Sequence, residues 1–251
     1  MIFYFSGTGN SLTTAKRLAE QLNDQVMAMN TALKFKDEFT NKRIGFVFPV
    51  YFYDVPKVVE KFIEKLELAS GYYFYAIATC GGEPGNALHS VRELFFKKGL
   101  ELSYAKAITL PDNTAPLLNS HYDLTTLKPL QNTIEQIASD ILLNTENTAE
   151  TRYKYKAKLL NITTRKFAER ELSKKQADEN LCIQCHICEK ICPAKNIRLI
   201  DGKVNIGNSC DECLACVHWC PQAAIRFNKR SISIKQQYHH PDIVLQDMIN
   251  S

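Results

Sequence analysis

Residues 1–12 read MIFYFSGTGNSL, so an apolar run passes directly into a turn that is rich in glycine and hydroxyl side chains. Apolar residues then recur at helical spacing from Leu12 to Leu22. A strand, a turn and a helix in this order place backbone N–H groups at a helix N-terminus, which favours a bound phosphate. No Gly-Lys-Ser/Thr follows and Leu12 replaces a third glycine, so the stretch is neither a P-loop nor a dinucleotide fingerprint. The alternative is a capped strand–turn–helix without a ligand.

The residues up to 143 continue this alternation of strand-like and helix-like segments. Further strands are predicted at 26–29, 44–50, 72–79 and 103–110, and further helices at 55–66, 87–98 and 127–143. Five strands alternating with helices predict an α/β fold with a doubly wound, five-stranded parallel sheet. Ligands bind such sheets beyond the carboxyl ends of the strands, so the loops at those ends are the candidate site.

The turn after the first strand resembles the FMN-phosphate loop of flavodoxins, in which hydroxyls and amides hold the phosphate without a cationic side chain. The shared pattern is S-x-T-G-N-S. The resemblance implies a flavodoxin-like domain at residues 1–145 with FMN as its cofactor. It assigns side-chain hydrogen bonds to Ser6, Thr8, Asn10 and Ser11, and close backbone approach to Gly7 and Gly9.

Two further strand ends carry residues that suit a flavin ring. The loop after the third strand offers Pro49, Val50, Tyr51 and Phe52, with Tyr51 as the first candidate to stack on the isoalloxazine. The loop after the fourth strand would edge the ring with a flexible backbone, and its candidates are Thr79, Cys80, Gly81, Gly82 and Gly85. Aromatic residues more often pack in cores. Cys80 is expected to be a small buried residue rather than a redox thiol.

Eight of the nine cysteines lie between Cys182 and Cys220, in two runs of C-x₂-C-x₂-C-x₃-C-P. A shift of 28 residues maps the first run onto the second, which indicates an internal duplication. In bacterial ferredoxins with this pattern, the fourth cysteine of each run ligates the other cluster. We therefore assign one [4Fe–4S] cluster to Cys182, Cys185, Cys188 and Cys220. A second [4Fe–4S] cluster is assigned to Cys210, Cys213, Cys216 and Cys192.

The alternative for these cysteines is zinc, which takes four ligands and tends to mix cysteine with histidine. Two interleaved sets of three plus one, each followed by proline, fit zinc poorly. His186 and His218 adjoin the cysteines and are expected at the surface rather than as ligands. Asp201-Gly202 between two apolar segments predicts a β-hairpin. Residues 181–228 are thus predicted to form a small α+β two-cluster ferredoxin domain, and residues 229–251 a polar tail with no recognisable motif.

Residues 146–180 are predicted to form a basic helical connector. Between residues 151 and 180, four acidic residues face nine basic ones: Arg152, Lys154, Lys156, Lys158, Arg165, Lys166, Arg170, Lys174 and Lys175. One hypothesis is that five of these cations offset cluster charge or dock an acidic redox partner, namely Lys154, Lys156, Lys158, Arg165 and Lys166. The alternative is a solvated helix face.

Composition narrows the class of protein. With 45% hydrophobic and 23% charged residues, the chain is neither disordered nor fibrous. Its longest apolar runs are too short to span a bilayer. The formal charge of +4 is too small to indicate nucleic-acid binding. The start of the chain lacks the features of a secretory leader, so we expect a cytoplasmic protein.

The order of the modules resembles a family of fused flavodoxin–ferredoxin proteins, which are regarded as electron-transfer proteins of anaerobes. The resemblance covers about residues 1–227 and implies FMN with two [4Fe–4S] clusters. It favours an electron carrier that serves a protein redox partner over a substrate-specific oxidoreductase. Two alternatives remain: a flavin-dependent reductase of a small substrate fed by the clusters, and a redox- or oxygen-sensing regulatory protein.

Overall fold

The first half of the chain forms a five-stranded parallel sheet. The computed structural model describes residues 1–32, 42–171, 174–227 and 230–250. The sheet strands are β1 (Ile2–Tyr4), β2 (Val26–Ala28), β3 (Arg43–Pro49), β4 (Tyr73–Cys80) and β5 (Leu102–Thr109). All neighbours pair in parallel in the order β2-β1-β3-β4-β5. This is the flavodoxin-like doubly wound order, and it confirms the predicted fold class.

Helices cover both faces of this sheet. They are α1 (Asn10–Leu22), the single turn α2 (Met29–Ala32), α3 (Lys57–Lys65), α4 (Ala87–Lys97) and α5 (Leu130–Leu142). α1 packs beside α5, and α3 packs beside α4. Consecutive β3 residues such as Phe46 and Val47 are both fully buried, as expected for a central strand covered on its two faces.

Aromatic side chains build one layer of the core beneath α3 and α4. The ring of Phe3 lies 5.1 Å from that of Phe62, and Phe95 lies 5.4 Å from Phe46 and 5.0 Å from Phe74. All five rings are buried, and such tilted pairs add to the free energy gained by burying their area. This core fixes the strands whose carboxyl ends carry the candidate site.

The second half begins with the connector helix α6 (Tyr155–Glu171) and continues as short elements. These are β6 (Gln176–Ala177), α7 (Ile187–Ile191), β7 (Ile197–Ile200), β8 (Lys203–Ile206), α8 (Ala215–His218), β9 (Ile225–Arg226) and α9 (Leu245–Ile249). β6 pairs with β9, and β7 with β8, both antiparallel. Asp201 and Gly202 both have positive φ, as a two-residue type I′ hairpin turn requires. The predicted small α+β domain and its hairpin are therefore present.

The C-terminal tail packs against α1 instead of hanging free. Lys16 and Arg17 of α1 form ion pairs of 2.7 and 2.6 Å with Asp247 and Asp242. Met248 is buried in the same hydrophobic core as the sheet. The tail is therefore part of the folded unit, although its sequence carries no recognisable motif.

The boundary expected between residues 228 and 229 lies outside the described residues. No helix in the described ranges is long and apolar enough to cross a bilayer.

Candidate functional site

The eight clustered cysteines line two separate cavities. Four of them, together with apolar residues such as Ile187 and Leu199, line the first: Cys182, Cys185, Cys188 and Cys220. The other four line the second: Cys192, Cys210, Cys213 and Cys216. Each cavity thus takes three cysteines from one run and the fourth from the other. This grouping coincides with the crossed sets expected from the spacing.

The backbone around the cysteines repeats with the sequence. Three residues of the first run that are not glycine have positive φ, namely Gln184, His186 and Lys195. The residues 28 positions later do the same, namely Glu212, Leu214 and Ala223. Left-handed backbone is costly for such residues and persists where the surrounding structure imposes it. Here it bends each run so that its first three cysteines face one cavity.

Backbone amides also point at matching sulfurs in the two halves. The N–H of Asn196 lies 3.3 Å from the Sγ of Cys192, and the N–H of Ala224 lies 3.2 Å from the Sγ of Cys220. These amides are again 28 residues apart. N–H donors beside sulfur stabilise thiolate charge, which suits a thiolate-ligated cofactor.

Each cavity offers four cysteine thiols, the ligand set that a [4Fe–4S] cluster takes. Four thiolates bound 2.3 Å from one zinc ion would lie about 4 Å from each other. Within the described ranges, no three His, Cys, Asp or Glu side chains converge closely enough to hold one ion. Burial raises the pKa of the Cys188 thiol to about 11 and that of Cys213 to about 12. A cation bound beside either sulfur would therefore favour its thiolate form.

A third pocket lies at the carboxyl edge of the sheet. Residues from the three predicted loops line it, namely Ser6, Gly7, Thr8, Asn10 and Ser11, then Pro49, Val50 and Tyr51, then Thr79, Cys80 and Gly81. A fourth loop, which was not predicted, contributes Pro111, Asp112 and Asn113. The predicted residues Gly9, Phe52, Gly82 and Gly85 do not line it. Residues 111–113 could have been predicted from their position just after β5, because ligands bind at the carboxyl ends of the strands in this fold.

Two of the predicted residues outside the pocket have structural roles. Phe52 lies under the guanidinium of Arg165, 5.1 Å from its ring centroid, on the side of α6. Gly85 has positive φ, and a Cβ there would lie 2.1 Å from the carbonyl oxygen of Tyr53. Gly85 is therefore required by backbone packing, because any side chain would collide with the preceding loop.

Hydrogen bonds between side chains and backbone organise the candidate phosphate loop. The Ser6 Oγ accepts from the Gly9 N–H at 3.1 Å, and the hydroxyls of Ser11 and Thr79 lie 2.8 Å apart. The Asn10 amide donates to the carbonyl of Pro111 at 2.9 Å. The loop is thus rigid before any ligand binds, and like the flavodoxin loops it contains no cationic side chain.

The wall of this pocket includes a buried hydroxyl in need of a partner. The Tyr51 hydroxyl is buried and has no hydrogen-bond partner among the described residues. A buried polar atom without a partner is costly, and a polar ligand in the pocket would relieve that cost. Burial and the neighbouring Cys213 and Asp211 raise the pKa of Tyr51 well above its ordinary value. The hydroxyl is therefore protonated, on a residue that both lines this pocket and lies near the second cysteine set.

Cys80 also lines the pocket and is a buried thiol. Its Sγ donates to the carbonyl of Gly82 at 2.9 Å, and burial raises its pKa to about 11. A neutral, hydrogen-bonded thiol is a poor nucleophile. This agrees with the expectation of a small buried residue.

The second cysteine cavity adjoins the pocket through Gly7. A Cβ on Gly7 would lie 2.1 Å from the carbonyl oxygen of Cys213, so only glycine permits this approach. The indole Nε1 of Trp219 donates to the carbonyl of Gly7 at 3.2 Å. The ferredoxin domain therefore packs directly on the candidate phosphate loop.

The C-terminal tail covers the other side of the same loop. The His240 backbone N–H donates to the Thr8 carbonyl at 2.9 Å, and the Tyr238 hydroxyl donates to the Asn10 Oδ1 at 2.7 Å. His240 is buried and its Cβ packs against Gly9. No sequence pattern predicts this contact, because it depends on backbone groups of a segment without periodicity.

The expectation that His218 lies at the surface is wrong. It is fully buried, with Nε2 2.9 Å from the Asn113 carbonyl, and Nδ1 accepts from the Tyr238 N–H at 3.1 Å. These two bonds require a neutral ring with its proton on Nε2. Burial lowers the pKa of His218 to about 4. His186 is exposed, as expected, and pairs with Glu189 at 2.9 Å.

The connector helix α6 has an internal and an external face. Asn161 is buried and donates to the carbonyl of Phe52 at 2.7 Å. On the opposite face, Tyr155, Leu159 and Ile162 are exposed by 85%, 63% and 43%. Exposed lysines flank this apolar stripe, namely Lys156, Lys158 and Lys166.

Comparison with known proteins supports the two-part architecture. Residues 181–225 match the family model described as a 4Fe-4S dicluster domain. No curated protein matches the chain.

Similar solved structures cover the sheet half of the chain. The rubredoxin oxygen:oxidoreductase of Desulfovibrio gigas is 13% identical, covers 57% of this chain and 36% of its own, and has a TM-score of 0.40. An FMN-dependent NADH-azoreductase of Bacillus anthracis, solved with FMN, is 11% identical, covers 56% and 97%, and has a TM-score of 0.37. At such scores the fold assignment depends on the strand order of the sheet itself. The chain is thus a flavodoxin-like α/β domain fused to a ferredoxin-type 4Fe–4S dicluster domain.

Proposed function

We propose that this protein relays electrons between FMN, two [4Fe–4S] clusters and a protein redox partner in the cytoplasm. The observation that carries the proposal is the contact between Gly7 and Cys213, because it joins the wall of the flavin pocket to that of the second cysteine cavity. FMN can accept one or two electrons and each cluster can pass one, so together they would link two-electron and one-electron donors.

The pocket at the sheet edge would hold FMN by its phosphate and its ring. Thr8, Asn10 and Ser11 at the start of α1 would donate hydrogen bonds to the phosphate, together with backbone N–H groups of the first turn. Tyr51 would stack on or donate to the ring, and the backbone near Cys80 and Gly81 would edge it. The loop suits a terminal phosphate and no adenine site is apparent in the sequence, which is why FMN is proposed rather than FAD.

The two cysteine cavities would each hold one cubane by the crossed sets given above. Apolar side chains such as Ile187, Leu199 and Ile197 line the cavities and would limit access of water, which tunes the potential of iron–sulfur clusters. Each set contains one exposed cysteine, Cys185 in the first and Cys210 in the second. The second set also contains two buried cysteines, Cys213 and Cys216, whereas the first set contains none, so the first is closer to solvent on the whole. A protein partner would therefore exchange electrons most directly through the first cluster.

Cofactor analysis of anaerobically purified protein tests this proposal. We expect about eight irons with matching sulfide per chain, and release of FMN on denaturation. Stoichiometric zinc with negligible sulfide, or no uptake of FMN at micromolar concentration, would refute it.

The crossed assignment needs a separate test with full-length variants, because the tail is part of the sheet domain. Cys192→Ser should disturb the second cluster, although Cys192 belongs to the first run. Cys188→Ser, four residues earlier, is the matched control and should disturb the first. Electron paramagnetic resonance of the reduced variants should therefore lose different signals.

A Cys182→Ser, Cys185→Ser double variant distinguishes the relay from its alternatives. If the relay is correct, reduction of a protein acceptor falls while bound FMN is retained. An unchanged rate of small-molecule reduction at the flavin would favour a reductase. Partner affinity that depends on cluster oxidation, without net electron transfer, would favour a sensor.

A further inference from the structure

Lys175 is the cationic side chain that lines the second cysteine cavity. Its Nζ lies 3.1 Å from the Sγ of Cys210 and 5.3 Å from the centroid of the Phe227 ring. The side chain is half-buried between these two groups. The ammonium is thus held against a sulfur by a hydrogen bond and a cation–π contact, rather than solvated.

Among the described residues, no cationic side chain lines the first cavity in this way. Its lining contains no lysine or arginine, and its one histidine, His186, pairs with Glu189 on the surface. The 28-residue repeat places Lys203 at the position that corresponds to Lys175. The Nζ of Lys203, however, pairs with Glu179 at 3.1 Å, and Lys203 lines neither cysteine cavity. The two related sites are therefore unequal, because one lysine contacts a sulfur and the other contacts a carboxylate.

One acidic residue also lines the second cavity, but it contacts none of the sulfurs at hydrogen-bond distance among the described residues. This is Asp211, and its own charge is opposed by Lys61 of α3. The ammonium of Lys175, by contrast, contacts a sulfur directly. At the Cys210 sulfur, the direct electrostatic effect is therefore that of the Lys175 ammonium.

A cation and an N–H donor on a ligating sulfur stabilise the more negative, reduced state of an iron–sulfur cluster. The effect is strengthened where the cation is shielded from water. We propose that Lys175 raises the reduction potential of the cluster held by the second cysteine set above that of the first. This inference rests on the proposed function and adds a direction to it, because the favoured electron acceptor is the cluster site that adjoins Gly7 and the flavin pocket.

The test is a redox titration of full-length, anaerobic holoprotein, followed by electron paramagnetic resonance. In Lys175→Met, the midpoint potential of one of the two clusters should fall. At a fixed potential, the ratio of reduced to oxidised cluster should then drop about tenfold, which corresponds to 59 mV for one electron. The other midpoint should stay unchanged. Lys175→Arg keeps the charge and donor and should restore most of the shift.

Lys174→Met is the matched control, since Lys174 is the adjacent, exposed lysine. It should leave both midpoints unchanged. Three outcomes would overturn the inference while leaving the relay intact. Lys175→Met could shift the midpoints of both clusters equally, it could shift neither, or Lys174→Met could produce the same shift. If Lys175→Met loses iron, Lys175→Gln decides in its place, with the same outcomes. Absence of clusters from the wild-type protein would overturn the relay and the inference together.

Discussion

The indole Nε1 of Trp219 donates a hydrogen bond to the carbonyl oxygen of Gly7, 3.2 Å away and 212 residues earlier in the chain. The Trp219 ring also stacks on His239 of the tail, with centroids 3.8 Å apart. One side chain of the ferredoxin domain thus contacts both the phosphate loop and the segment that covers it.

Trp219→Phe should weaken this junction, because it removes the donor and leaves a buried carbonyl without it. We expect a loss of about 1 kcal/mol, or a fall of about 2–4 °C in Tm for a chain of this size. Thermal unfolding of anaerobic holoprotein measures it. Tyr153→Phe, which alters an exposed ring, is the control and should have no effect. An unchanged Tm for Trp219→Phe would show that the indole bond contributes nothing to the junction.

Thr8→Val should weaken FMN binding about tenfold, because a hydrogen bond to a charged phosphate contributes roughly 1.5 kcal/mol. Fluorescence titration with FMN measures this, and riboflavin, which lacks the phosphate, should bind both proteins equally. Thr13→Val is the matched control, since Thr13 is a buried threonine of α1 that does not line the pocket. Equal losses for FMN and riboflavin would mean that Thr8 does not contact the phosphate.

Acidification should loosen the tail. Burial lowers the pKa of His239 and of His240, although Asp242 partly opposes the shift at His240 and Arg17 adds to it. Both rings are therefore neutral when folded but take up protons below about pH 6.5 when unfolded. Stability is fully present above that pH and falls as the pH drops towards the folded pKa values.

Denaturant unfolding between pH 7.5 and 5 measures this loss, and a His239→Asn, His240→Asn variant should show a shallower pH dependence over the same window. His121, an exposed histidine, supplies the control as His121→Asn, which should keep the wild-type slope. A double variant with the wild-type slope would contradict the prediction.

Charge reversal of Lys156, Lys158 and Lys166 should slow reduction of an acidic protein acceptor. These lysines flank the exposed stripe of Leu159 and Ile162, and long-range attraction between opposite charges raises association rates. Stopped-flow kinetics at two ionic strengths measures it, since added salt should shrink the difference. Reversal at the exposed Lys65, Lys97 and Lys128 gives a control of equal charge. If both triple variants behave alike, the α6 face is simply solvated.

Local sequence patterns predicted the strands, the hairpin and the cysteine sets, because these features depend on interactions between residues that are close in sequence. The alternation of strand-like and helix-like segments predicted the parallel sheet. Asp201-Gly202 predicted the hairpin, because few pairs of residues accept two positive φ angles in succession. The spacing of the cysteines also anticipated the two cavities, since it reflects a repeated backbone path.

The remaining features depend on contacts between distant segments. His218 was expected at the surface because nothing near it in sequence shows that Asn113 and Tyr238 will enclose it. Lys175 was one of nine basic residues in the connector, and only the folded chain distinguishes it by its distance to Cys210. Helix boundaries shifted for a local reason: Pro129 and Pro56 stand just before α5 and α3, which start after them.

The close approach of Gly7 to Cys213 also restricts how the two halves can be exchanged in evolution or engineering. A flavodoxin-like domain without the ferredoxin half would lack the Cys213 carbonyl that excludes a side chain at this turn. Grafted onto this ferredoxin half, any residue other than glycine would place its Cβ about 2.1 Å from a backbone oxygen and force the halves apart. Chimeras built at the connector should therefore assemble only with donors that have glycine at this position, whatever their affinity for flavin.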